Sequence, residues 1–139
     1  RGIGKQSVSL TYWNKILEKD PRNKVILTRA GDAYRNMGEL DKATKCYEDA
    51  LNIEYDVYAI LGLAVIARIQ GKYDDAITSL RTIIQNDPKN YRIYMELAQC
   101  YLGAGQRQQA IDILSEFQKL GIKNPFVQDT LAKLTAKNP

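Results

Sequence analysis

Glycine stands at positions 38, 71 and 105 of this chain, and an alanine follows each of them five residues later, at Ala43, Ala76 and Ala110. The interval between glycines is 33 residues and then 34. Self-similarity at a period of this length constrains a fold more than any single motif, because each repeat is then one supersecondary unit that cannot bury its apolar side alone. Three windows align on it: YRNMGELDKATKCYEDAL from Tyr34, ARIQGKYDDAITSLRTII from Ala67, and YLGAGQRQQAIDILSEFQ from Tyr101. Within them larger apolar residues recur at helical spacing, first Tyr47, Leu80 and Leu114, then Ala50, Ile83 and Phe117.

Each part of the pattern has a mechanical reason. The repeated glycine ends one helix where the chain must turn sharply, a place where a left-handed conformation is least costly without a Cβ. A second helix follows at once, with Asp41, Asp74 and Asp75 in first turns, where a negative charge complements the helix dipole. The alanines leave so little side chain that two helices approach closely, and Gly31, Ala64 and Ala98 supply the small residue on the opposing helix. Prolines in KDPRN and NDPKN end two of the second helices, since the residue before proline resists the helical conformation.

This arrangement resembles the tetratricopeptide repeat family over nearly the whole chain. The residues that carry the resemblance are Gly31, Tyr34, Gly38, Ala43, Tyr47 and Ala50 in the best repeat. Ala64, Gly71, Ala76, Leu80 and Pro88 carry it in the next, and Leu97, Ala98, Tyr101, Gly105, Ala110 and Leu114 in the last. The resemblance implies an all-α fold, a right-handed superhelix of about eight helices in antiparallel pairs, without strands. Residues 1–139 are expected to form a single domain. Within it, residues 7–23 read as the second helix of a truncated repeat, 24–56, 57–90 and 91–124 as repeats, and 125–137 as a capping helix. Two departures touch the turns: the repeat ending in NIEYD lacks a proline and is one residue short, and Ala67 replaces the tyrosine found at Tyr34 and Tyr101.

The ends fit a repeat array cut from something longer. The chain opens at Arg1 rather than methionine, and SVSLTYWNKILEKDPRN reads as a second helix whose first helix lies upstream or is replaced by RGIGKQ. At the other end Phe126, Val127, Leu131 and Leu134 are expected on one face of the last helix and Gln128, Asp129 and Lys133 on the other, as a terminal repeat with a polar outer face requires.

Composition removes several classes of function. The chain has no histidine, so imidazole metal sites and triads that use it as a base are excluded. Cys46 and Cys100 lie far apart in apolar-periodic segments and read as buried free thiols, without a CxxC pair for zinc or redox work. The net charge of +4 is dispersed, which points to a solvated surface rather than to nucleic acid. The acids Asp41, Asp74, Asp75 and Asp112 fall at helix starts or on solvated faces, so no catalytic, cofactor-binding or metal-binding residue is assigned. No apolar run reaches the roughly 20 residues a membrane span requires, and no membrane insertion is expected.

One segment asks for a partner. AILGLAVIARIQG, residues 59–71, is apolar nearly all round, a pattern that belongs to a buried helix. The resemblance places it as the first helix of the middle repeat, lining a concave surface. Ile60, Leu63, Ala64 and Ala67 then face the partner helix, while Ala59 and Ile66 meet a neighbouring hairpin. Tyr58, Leu61, Val65, Arg68 and Ile69 recur at three- and four-residue spacing and are expected to point into the groove. Thr28, Asp32 and Arg35 flank them on one side, and Arg92, Met95, Gln99 and Leu102 on the other. Arg35, Arg68 and Arg92 would be polar fixings on a mainly apolar floor.

The family includes members that clamp a terminal carboxylate with lysine, asparagine and arginine. The corresponding positions here are Thr28, Asp32, Gly62, Arg92 and Glu96, of which only Arg92 has suitable chemistry. The resemblance therefore implies a non-catalytic scaffold that binds a partner helix or apolar peptide segment. Alternatives from other classes are a homo-oligomerisation module, a regulatory domain of a larger enzyme, and an RNA-binding helical repeat. The last is disfavoured because Tyr58, Leu61 and Val65 stand where base-reading polar groups would be needed. Self-association through the N-terminal helix, by way of Tyr12 or Trp13, is a further expectation.

Overall fold

Three turns of identical construction organise the chain. A computed structural model describes residues 2–136, with side chains from residue 5 onward. Expectations for Arg1, and for residue 137 as the end of the last helix, lie outside the described residues. In the first turn Gly38 adopts φ 80°, its N–H donates to Arg35 O, and the next N–H, of Glu39, reaches back to Tyr34 O at 2.9 Å. Gly71 (φ 78°) and Gly105 (φ 77°) repeat it, with Lys72 N–H on Ala67 O and Gln106 N–H on Tyr101 O. This is the helix-ending motif in which a left-handed glycine lets the last carbonyls find donors.

The described residues form eight helices and no strand. They are α1 (Gly2–Lys19), α2 (Lys24–Asn36), α3 (Leu40–Ile53), α4 (Val57–Ile69), α5 (Tyr73–Ile84), α6 (Tyr91–Gly103), α7 (Arg107–Gln118) and α8 (Pro125–Thr135). Residues 2–6 belong to α1, so RGIGKQ does not form an element of its own. Asparagine opens three of the helices: Asn23, Asn90 and Asn124 each accept a backbone N–H through the side-chain oxygen, from Ile26, Arg92 and Val127. The repeat that lacks a proline has Asp56 at the corresponding capping position. Its Oδ1 accepts Tyr58 N–H at 2.9 Å and Ala59 N–H at 3.4 Å, which starts α4 as a side-chain cap does.

The chain divides into two compact units, one up to Ile66 and one from Ala67. In the first, α1 packs on α2 and α2 on α3. Its core joins Leu27, Ala43, Tyr47, Ala50, Ala59 and Ile66, with a second cluster of Leu10, Ala30 and Ala33 under Trp13. In the second unit α5 packs on α6, α6 on α7 and α7 on α8. Leu80, Ile83, Leu97, Ala98, Ala110 and Leu114 are all buried there, and Tyr94 meets Phe117 edge to face with centroids 5.1 Å apart.

Two expectations about single side chains are corrected. Phe126 does not join Val127 and Leu131 in the core: it is 61% exposed and stacks on Tyr91 at 5.9 Å and 8°. Cys46 is half-buried, in the open depression between α1 and α3, and only Cys100 is fully buried. Both thiols are free.

Candidate functional site

In the first unit the side chains expected to line a binding face divide into an engaged polar set and an open apolar set. Thr28 is buried, and its hydroxyl donates to Lys24 O at 3.0 Å and to Asp56 Oδ2 at 3.2 Å, which ties α2 to the start of α4. Asp32 and Arg35 are half-buried and meet at Tyr47: the phenol donates to Asp32 Oδ1 at 2.5 Å, and Arg35 Nη1 donates to the phenol oxygen at 2.8 Å. Burial first, and then the hydrogen bond to Asp32, push the Tyr47 pKa far up, so this hydroxyl keeps its proton and serves as a donor. On α4, Tyr58 is 48% exposed, while Leu61 and Val65 are half-buried and lie on the same helix face.

Tyr47 reaches this network because two glycines admit its ring. A Cβ on Gly31 would stand 2.7 Å from Tyr47 Cε1, and one on Gly62 would overlap the ring at Cζ. Gly62 is therefore a floor for Tyr47 rather than a vacant position on the face. The lone glycine inside an apolar helix was the available signal, since such a residue marks a close approach.

In the second unit Arg68 is held by Glu96. The guanidinium donates through Nε to Glu96 Oε2 and through Nη2 to Oε1 at 3.3 Å. This two-pronged pair leaves the Glu96 side chain 10% exposed. The hydrogen bond to Glu96 raises the Arg68 pKa and keeps the guanidinium charged. Cys100 Sγ lies 3.8 Å from Glu96 Oε2, and burial, followed by the nearby carboxylate, pushes this thiol up to about 12. Ile69 is 52% exposed. Along α6, Arg92 and Gln99 are exposed, and Met95 and Leu102 half-buried. Among the described residues Arg92 makes no ion pair, which distinguishes it from Arg35 and Arg68. Half-buried Tyr91, next to Arg92 in sequence, stacks on Phe126, whose exposed ring the sequence pattern assigned to the apolar face.

Among the described residues no group of three or more His, Cys, Asp or Glu side chains is placed to hold a metal ion, and no helix is long and apolar enough to cross a membrane. Family profiles described as tetratricopeptide repeat match residues 28–90 and 67–135, and so run from α2 to the end of α8. The chain belongs to the tetratricopeptide repeat family. A solved tetratricopeptide repeat protein from Parabacteroides merdae shares the fold, with a TM-score of 0.79 at 19% identity, over 94% of this chain and 52% of that one. Two curated relatives are general transcriptional corepressors. The trfA protein of Dictyostelium discoideum is 30% identical over 89 residues, 63% of this chain and 6% of its own length. The ssn6 protein of Schizosaccharomyces pombe is 40% identical over 63 residues, 45% of this chain and 6% of its own length. The likeness thus covers a small part of each corepressor.

A tetratricopeptide repeat chain is a protein-interaction scaffold and typically non-catalytic, and its partners are proteins. The physical basis is that stacked hairpins bury their apolar seams and leave rows of side chains on rigid helices.

Proposed function

We propose that this tetratricopeptide repeat chain binds a helix or short apolar segment of a partner protein on the open face of α4. The observation that carries the reading is the row of Tyr58, Leu61 and Val65. These three apolar side chains share one side of α4 and retain exposure, where a soluble surface ordinarily places polar groups. In the second unit, α6 by itself keeps Met95 and Leu102 half-buried, and its exposed Arg92 makes no ion pair among the described residues. Arg35 and Arg68 act differently. Each is tied to its own carboxylate, so each stiffens a face instead of reaching for a ligand. The likeness to two general transcriptional corepressors supports transcriptional repression as the setting in which such partners are gathered.

Leu61→Asp and Tyr58→Glu test the reading against Lys119→Glu, a charge reversal at the exposed end of α7. A partner segment selected from a peptide display should bind with about micromolar affinity, near 8 kcal/mol. Both face variants should lose it while the melting temperature holds. Retention by both, with loss in Lys119→Glu, overturns the reading.

A further inference from the structure

The exposed side of α1 has its own pattern, separate from the face of α4. Lys5, Val8, Tyr12, Lys15 and Lys19 follow one another at intervals of three and four residues, which at 3.6 residues per turn confines them to roughly 80° of the helix surface. All five are exposed, Val8 by 73% and Tyr12 by 64%. The only acid of α1, Glu18, lies about 100° round from the centre of this stripe. Four lysines elsewhere, Lys24, Lys42, Lys45 and Lys133, each have a carboxylate within reach. Lys5, Lys15 and Lys19 have none among the described residues. The stripe is therefore an apolar pair bracketed by unpaired positive charge.

We infer that this face of α1 docks an acidic amphipathic helix of a partner protein, with two apolar side chains over Val8 and Tyr12 and carboxylates opposite Lys5, Lys15 and Lys19. Charge selects this occupant over the others. A second copy of α1 laid antiparallel on the first would bring Val8 over Tyr12, but the same register sets Lys5 against Lys15 at both ends, and like charges there oppose the pairing. A membrane surface fits less well. Leu10, Trp13 and Leu17 of α1 are turned into the core of the unit and Ile16 is half-buried, which leaves Val8 and Tyr12 as the exposed apolar side chains among the described residues of α1, where an interfacial helix uses a whole face. A nucleic acid would find no use for the apolar pair at the centre of the stripe.

Fluorescence anisotropy tests the assignment with two dye-labelled, helix-stabilised synthetic peptides. Each carries Glu, Leu, Leu, Glu and Glu at the spacing of the stripe, one in each chain direction. The expected result is saturable binding of one peptide that weakens at least tenfold in Lys5→Glu/Lys15→Glu and in Tyr12→Ser. Circular dichroism should report unchanged helicity for both variants. A peptide with Lys in place of Glu should recover affinity for Lys5→Glu/Lys15→Glu alone, which a merely damaged fold would not permit. Leu61→Asp should leave the interaction unchanged, so that this inference and the reading of α4 fail separately. The inference is overturned if neither peptide binds, or if the lysine reversals leave binding intact. It is equally overturned if sedimentation shows a dimer of the chain that Tyr12→Ser dissolves, or if phosphatidylserine vesicles or single-stranded DNA bind through these lysines more tightly than the peptides do.

Discussion

The ring of Tyr47 occupies the space that a side chain on Gly62 would need. Tyr47 comes from α3 and Gly62 from α4, and the same ring also closes over Gly31 of α2, so one fully buried residue joins three helices. Gly62→Ala should therefore destabilise the chain by about 1–3 kcal/mol, because overpacking against a ring held on three sides outweighs the roughly 1 kcal/mol that alanine contributes to a helix interior. Chemical denaturation would measure it. Tyr47→Leu in the same background should relieve most of the clash, and a Gly62→Ala variant as stable as the parent would contradict this packing.

Asp56 caps the start of α4 as Asn23 and Asn90 cap α2 and α6. Asp56→Ala removes the cap of α4 and leaves the buried Thr28 hydroxyl one acceptor poorer, and the expected loss is about 1–2 kcal/mol. Asp56→Asn, which retains a capping oxygen, should recover more than half of it by thermal melting.

Glu96→Ala leaves Arg68 charged and without its acid. A pair broken in a fully buried setting costs roughly 3–5 kcal/mol; here Arg68 keeps 30% exposure and water compensates in part, so about 1–3 kcal/mol is expected. The double variant Arg68→Met/Glu96→Leu should stand closer to the parent than Glu96→Ala does. A double-variant cycle that shows strict additivity would deny the coupling.

The Cys100 thiol gives a signed pH dependence. An ordinary thiol here would titrate near 9.0, and the folded chain holds its proton up to about 12. Below pH 9 both folded and unfolded states carry the proton and the contribution to stability is complete. As pH rises from 9 toward 12 the unfolded chain ionises first, and the contribution is lost. Melting temperatures between pH 8 and 11 should fall more steeply for the parent than for Cys100→Ala. At pH 8 a disulfide reagent should modify half-buried Cys46 slowly and reach Cys100 only on unfolding.

The repeat, the helix pairs and the turn glycines were legible in the sequence because each rests on local physics. A left-handed glycine and a proline after a helix act within a few residues of themselves, and they recur at a period that repeated packing demands. The small-residue seams were legible for the same reason: Ala43, Ala76 and Ala110 must be small in any close hairpin, and each is buried. Side-chain partnerships across helices were decided only by tertiary structure. Nothing local to Arg68 shows that Glu96, 28 residues on, will claim it, nor that Tyr47 will take the proton-acceptor capacity of Asp32. Helical periodicity gives the direction of a side chain but not what stands opposite, and it could not separate Phe126, drawn to the surface by the ring of Tyr91, from Val127, which is wholly buried one residue later. Local propensity thus determined where the turns between repeats fall, though not the start of α1, while the choice between an open arginine and a closed ion pair waited on which charges the packing of whole helices brought together.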